Sequence, residues 1–269
     1  MVDREGNWSH YWHDEQKIFL SAVNHILTHG YAKGEAFYKY LLGTNPEEAK
    51  RTLESAGDRG ARVHEAIRDL IDGREISIDT KYPSEVAKGR FEPLTNGEWD
   101  CLRGFAEFVK ERRPSLVRRE HSVYSLSFRY AGTIDWLGEI DWDGKRVVAL
   151  LDWKSSGRIY DEYLAQVAAY YQAVLEEHDR GEYAGPLPTH TGIVRFKPTA
   201  RSGSKYEIKV WNNIETGRHI KAFLSAKDIH EMSQGGDWKP DVEEIPLKIK
   251  VAVPAYKEAP KRKSRKSLN

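Results

Sequence analysis

From residue 115 onward the apolar residues of this chain change period, and that change limits the folds open to it. SLVRREHSVYSLSFRYAGTIDWL is rich in Val, Tyr, Phe, Thr and Ile and reads as two strands. Asp143-Gly144 is a hairpin signal, and KRVVALLDWK after it is a further strand with VVALL at its centre. Helical patterns lie on both sides. A chain that alternates in this way must lay helices on a sheet, so the class is α/β.

The helical patterns come first. Residues 15–29 carry Ile18, Phe19, Ala22, Val23, Ile26 and Leu27 in a helical stripe, with Gly30 just past its end. A second short helix is predicted over 33–42. Asn45 and Pro46 open a third, capped and started by residue type, reaching Ile71 with a break near Gly57 and Gly60 and an end at Gly73. Residues 79–90 are polar and read as a loop. Thr95 caps a helix over 97–112, which Pro114 stops. Beyond the strands, 161–178 is helical, 191–196 and 206–211 are strands, and 216–232 is a last helix.

The 269 residues are 31% charged and 39% hydrophobic, with 42 basic residues against 41 acidic, a globular balance that neither demands nor excludes nucleic acid. The one cysteine, Cys101, excludes a disulfide framework, a cysteine-rich zinc site and an iron–sulfur cluster. MVDREGNWSH has early charges and no apolar core, so no signal peptide is expected, and no run is apolar enough to span a bilayer. The expectation is a cytoplasmic protein with no membrane partner. After Pro240 the pattern weakens, and residues 257–266 carry six Lys or Arg. These form a basic, flexible tail by expectation, or a sequence-independent phosphate contact.

Charges stand where the strands should be buried. In a strand, i and i+2 point to one side, so Asp152 and Lys154 share a face and Trp153 takes the other. Asp135 lies on the preceding strand. If the strands pair, two carboxylates meet at one end of the sheet, which is unfavourable unless a cation lies between them. A hard divalent ion answers this, and the lysine then positions a water or stabilises charge on a phosphate. Alone, an Asp-x-Lys triplet is an ordinary surface salt bridge worth under about 1 kcal/mol.

Further residues stand at matching places. Gly132-Thr133-Ile134-Asp135 followed by Asp152-Trp153-Lys154-Ser155-Ser156 resembles motifs II and III of the PD-(D/E)XK nuclease superfamily. Gln166-Val167-Ala168-Ala169-Tyr170 resembles the Q-x-x-x-Y motif of its RecB-like branch, and Gly60-Ala61-Arg62-Val63-His64 that branch's G-x-x-x-H element. The resemblance covers about half the chain, from 57 to 196. The N-terminal order FLSAVNHIL, then KGEAFYKYL, then the G-x-x-x-H helix, is similar to the layout of phage-encoded exonucleases and the mitochondrial genome maintenance exonuclease.

This resemblance implies a restriction-endonuclease-like core, a central mixed sheet flanked by helices, over 57–239, with a helical N-terminal portion over 1–56 and the basic tail over 240–269. It implies Mg²⁺ or Mn²⁺ as cofactor, held by Asp135, Asp152, the main-chain carbonyl of Trp153 and His64, with Glu120 as a further ligand. Lys154 would orient the attacking water, and Gln166 and Tyr170 would hold DNA and the catalytic strand. Ser155, Ser156, Arg62, Arg195, Lys197 and Arg201 become candidate phosphate contacts. DNA is the expected partner, single-stranded or at duplex ends, with a recombination or replication protein as a further one. No G-x-x-x-x-G-K-[ST] loop is present, so no nucleotide is expected. The function implied is an exonuclease of recombination, repair or replication, in host cytoplasm if phage-encoded. The alternatives are a structure- or site-specific endonuclease, an RNA nuclease, or a non-catalytic DNA-binding accessory protein.

Four other histidines read as ordinary residues. His10 and His13 are spaced H-x-x-H without a partner ligand. His25 and His29, four apart on a helix, could share a zinc ion, but no third ligand is apparent in the sequence.

Overall fold

The computed structural model describes residues 9–87, 90–199 and 202–234. Two short strands open it, β1 (His10–His13) and β2 (Ile18–Ala22), followed by helices α1 (Val23–Gly30), α2 (Glu35–Gly43) and α3 (Pro46–Ile71). A small hairpin, β3 (Lys81–Pro83) and β4 (Phe91–Pro93), leads to α4 (Asn96–Arg112). Then come β5 (Ser115–Ser125), β6 (Tyr130–Trp142), β7 (Lys145–Lys154), α5 (Asp161–Asp179), β8 (His190–Phe196), β9 (Tyr206–Asn212) and α6 (Asn213–Gln234).

Seven strands form one sheet in the order β1-β2-β6-β7-β8-β9, with β5 also on β6. The pairs β2–β6 and β7–β8 are parallel and the remaining pairs antiparallel, so the sheet is mixed, as expected. The β6–β7 hairpin closes through Asp143 at φ 48° and Gly144 at φ 70°. Two left-handed residues match the twist of the strands they join.

Helices cover both faces, as β7 shows residue by residue. Leu150 joins an apolar cluster with α1, α5 and α6, whereas Leu151 and Trp153 join one with α3 and α4. Trp153 packs edge-on against Phe105 and Phe108 and tilted against Trp136 and Phe196. The turn signals act as read. Asn45 accepts from the Glu47 N–H, and Thr95 and Glu98 form a reciprocal capping box.

Three expectations are corrected. Residues 15–29 are not one helix: 18–22 is a strand that buries Leu20 and Ala22 and leaves Phe19 exposed. Its backbone pairs on both sides, with β1 and with β6, and that pairing overrides the helical stripe. Thus the first 56 residues contribute strands as well as helices. The break near Gly57 and Gly60 is absent, because α3 runs unbroken from 46 to 71 and either glycine would accept a Cβ without a clash. The polar stretch 79–90 contains β3, held by pairing with β4.

One edge of β6 is divided. β5 pairs along the other edge from Tyr130 to Glu139. On the divided edge β2 pairs at Tyr130 and Ala131, and β7 only from Trp136. Gly132-Thr133-Ile134-Asp135 lies between, with no strand partner on that edge among the described residues. The sheet forks at the point where the charges stand. The described residues belong to one compact unit, Met1–Gln234. Residues 235–269, with the basic tail, lie outside the described residues.

Candidate active site

Asp135 sits in the fork. One step beyond the Trp136–Leu151 pair the register places it opposite Asp152. Only 7% of Asp135 and 2% of Asp152 is exposed. The Trp153 N–H donates to Asp135 Oδ2 at 2.7 Å, and His64 Nδ1 lies 3.3 Å from Asp135 Oδ1. Burial works against the Asp135 charge, but His64 and Lys154 outweigh it and hold its carboxyl below the usual range.

Asp152 behaves differently. Burial, with the Asp135 charge adding to it, pushes its carboxyl up to about 6 despite Lys154. Its Oδ2 is ion-paired with Lys154 Nζ but accepts no well-formed hydrogen bond. Lys154 also lies 4.7 Å above the Tyr163 ring, a cation–π contact. Burial disfavours the ammonium, yet Asp152 and Asp135 raise its pKa, so it stays charged.

α3 brings His64 to this point. Val63, Ala66 and Ile67 bury its apolar face, and His64, between them in sequence, meets the end of β7. His64 Nε2 lies 3.1 Å from the Trp153 carbonyl. With Asp135 accepting at one nitrogen and a carbonyl at the other, the ring is held here as a double donor, and a cation bound to the ring would replace one of those two protons. Burial opposes that charge, and Asp135 overcomes it, raising the imidazole to about 9.

Glu120 approaches from β5. Its neighbours Arg119 and His121 pair with Trp136 and Ile134, so Glu120 falls opposite Asp135. It adopts φ 44°, a left-handed conformation rare for a glutamate within a strand. Glu120 is exposed at the surface, yet partial desolvation and the Asp135 charge raise its pKa. The ligand atoms of His64, Glu120 and Asp135 lie within 4.8 Å of one another. Two carboxylates, an imidazole and a main-chain carbonyl beside them are a donor set that a divalent cation fits: oxygen suits Mg²⁺, and the imidazole suits Mn²⁺ better. Asp152 is outside that trio, its carboxylate turned to Lys154.

Gln166 and Tyr170 are brought to the same end of the sheet, but as buried supports. Gln166 Nε2 donates to the Tyr170 hydroxyl at 2.9 Å. The Tyr170 ring lies so close to Gly132 that a Cβ there would stand 2.3 Å from Cε1. The helix motif thereby fixes the strand motif that carries Asp135. Small residues permit this approach: Ala165, Ala168, Ala169 and Ala173 are buried on the sheet.

The expected phosphate contacts divide. Arg62 is corrected: it is 3% exposed, and its guanidinium is held by Glu98, Glu92 and the carbonyls of Glu92 and Pro93. It ties α3 to α4 and β4, which leaves it no surface for a phosphate. Arg195 is committed to Glu207 and to the carbonyls of Ser156 and Gly157, bracing the turn after β7. Ser155 is buried, and the Ser156 hydroxyl donates to the Arg158 carbonyl. Lys197 donates to the Ser204 carbonyl at an exposed position. Arg201 lies outside the described residues.

Sequence reasoning missed three neighbours. Arg59 donates to the Ser155 carbonyl at 3.3 Å, and its buried Nε has no hydrogen-bond partner among the described residues. Tyr11 meets Thr133 hydroxyl to hydroxyl at 3.0 Å. Tyr163 faces Lys154. Only Tyr163 left a signal, being three residues from Gln166 on one helical face.

No family model matches the chain, and no curated protein does. Among solved structures it is similar to an alkaline exonuclease from Laribacter hongkongensis, 12% identical over 50% of this chain and 69% of that one, at a TM-score of 0.28. Overlap at that level transfers no activity, so the site stands on its own geometry.

Proposed function

We propose that this chain is a metal-dependent nuclease that hydrolyses phosphodiester bonds in DNA. One observation carries the proposal: His64, Glu120, Asp135 and the Trp153 carbonyl converge from α3, β5, β6 and β7 beside a buried Asp152–Lys154 pair. Burying Asp135 and Asp152, with Lys154 and His64 partly buried beside them, is unfavourable for folding alone, and such groups cluster where chemistry needs them.

His64, Asp135, Glu120 and the Trp153 carbonyl would hold Mg²⁺ or Mn²⁺, with Asp152 opposite as a further carboxylate. The bound ion supplies positive charge to the phosphate and to the leaving oxygen. Trp153 N–H and His64 fix the Asp135 carboxylate, so its oxygens need not reorganise. Lys154 stays protonated, and its ammonium orients the attacking water in line with the scissile bond or meets charge developing on a phosphate oxygen. Water adds to phosphorus as the ester P–O bond breaks, and the water proton ends on the leaving oxygen. Gln166, Tyr170 and Gly132 keep the strand in place. The nuclease unit would run over 57–239, with β1 and β2 extending its sheet.

Within this reading, the resemblance of the motifs favours an exonuclease on DNA ends or single strands, in recombination, repair or replication. The test is a time course on 5′- and 3′-labelled linear DNA, single- and double-stranded, with Mg²⁺, Mn²⁺ or EDTA. Metal-dependent degradation is expected, and the order of label release gives polarity. Intact DNA in every lane, with no metal bound, would overturn the proposal. Cutting of closed circular DNA would favour an endonuclease of the same architecture.

A further inference from the structure

A second cluster of metal-ligating side chains lies away from the sheet fork, where α1 packs on α6. His25 and His29 project from α1, and His230 meets them from α6. Their ligand atoms lie within 4.8 Å of one another. The ring centroids are 4.3 Å apart for His25–His29, 5.0 Å for His25–His230 and 5.7 Å for His29–His230. The third ligand that the sequence did not show is 201 residues from His29.

The packing beneath them is fixed. Gly30 touches α6 backbone to backbone, since a Cβ on it would stand 1.9 Å from the Ala226 carbonyl oxygen. Ile26 and Leu27 of α1 share an apolar cluster with Phe223 and Ala226 of α6. His230 follows Ala226 by one turn, so close helix contact sets the distance between the histidines.

Two details point to a ligand. His230 is 3% exposed, yet its Nδ1 has no hydrogen-bond partner among the described residues. A buried imidazole nitrogen without a partner is unfavourable unless something binds it. His29 Nδ1 lies 2.8 Å from the His25 carbonyl, the geometry of an N–H donated to that oxygen, which leaves the Nε2 lone pair for a metal. A backbone carbonyl behind the ring is the usual way to orient a ligating histidine.

We propose that His25, His29 and His230 bind a borderline transition-metal ion, Zn²⁺ by preference, which staples α1 to α6. Imidazole nitrogens bind zinc at about 2.0–2.1 Å, so two of them on a tetrahedral ion stand roughly 3.4 Å apart. His29 is at the surface and can close that gap by a side-chain adjustment. A fourth position remains for water or for His10, whose ring is 6.1 Å from that of His25. The site shares no residue with the fork and does not depend on nuclease activity.

The test uses full-length protein stripped with EDTA and dialysed, then titrated with Zn²⁺ by calorimetry and with Co²⁺ by visible absorption. The Asp135→Asn variant removes a ligand at the fork, and His25→Gln and His29→Gln remove ligands here. Asp135→Asn, with a fork ligand removed, should bind one tight equivalent and rise in Tm, and wild type should bind at least one and rise likewise. His29→Gln, at an exposed position, should fold normally but bind at least tenfold more weakly and lose the Tm rise. Equal zinc affinity in His29→Gln, His25→Gln and wild type would overturn the proposal, as would no zinc-induced Tm rise in wild type.

Discussion

Lys154, partly buried, and Arg62, fully buried, are both inward-facing cations, and their partners give them different work. Lys154 faces two carboxylates and an aromatic ring in the fork. Lys154→Ala should lower cleavage by roughly 10²-fold or more, the scale of losing one aligned charge at a reacting phosphate. Asp152, already raised to about 6, would then take a proton, so stability should change less than activity. Full activity in the variant, read from initial rates on labelled DNA, would contradict the role. Arg62 meets Glu98 in the interior, and removing it leaves a buried carboxylate charge with only the Thr95 cap for partner. Arg62→Ala should cost about 3–5 kcal/mol in denaturant unfolding. Unchanged stability with weakened DNA binding would return Arg62 to the phosphate contacts.

At the scale of elements, the register of two motifs against each other is the point of control. α5 lays Tyr170 on Gly132, three residues from Asp135. Gly132→Ala would need Tyr170 or the strand to move, at about 1–3 kcal/mol by the usual cost of overpacking. Because the displaced strand carries Asp135, cleavage should fall further than the stability loss explains. A folded Gly132→Ala protein with wild-type rates would show that the contact is only structural. The capping box at the start of α4 offers a contrast. Thr95→Ala should cost about 1 kcal/mol and leave rates unaltered, because its side-chain hydrogen bonds go to Glu98 and to none of the site residues.

For the molecule as a whole, Cys101 reports cooperativity. It is fully buried between α4 and the sheet, where its thiol lies 3.5 Å from the Phe196 carbonyl. Burial pushes the thiol up to about 12 from 9. Well below pH 9 both the folded and the unfolded thiol stay protonated, so the group adds no pH dependence there. As pH rises from 9 towards 12 the unfolded chain ionises first, and folded stability declines. At pH 8 a thiol reagent should therefore label Cys101 only through unfolding, with a rate that follows denaturant concentration. Rapid labelling in native buffer would show that α4 opens independently. Under the proposed function the basic tail would act at this scale too. Removing residues 255–269, with their six basic side chains, should weaken DNA binding at low salt and little at high salt, measured by anisotropy across a salt series.

Much of this protein follows from local chemistry. The alternation in KRVVALLDWK, the Asp143-Gly144 turn and the Thr95 cap act over a few residues, so strands, hairpin and helix start are legible without a partner. The same holds for Asp152 and Lys154 sharing a face, a consequence of strand period alone. What no local rule contains is who stands opposite whom. Residues 18–22 have a helical stripe and became a strand because two other strands offered hydrogen bonds. Arg62 looks like a surface cation beside a motif and is buried because Glu98, 36 residues later, folds against it. His230 and Glu120 reach their clusters only through the packing of α6 on α1 and of β5 on β6. Sequence specified most of the elements and the chemical types available to the fork. The tertiary structure decided which of those groups share a few ångströms of low-dielectric space, since burial and pairing are properties of the assembled fold.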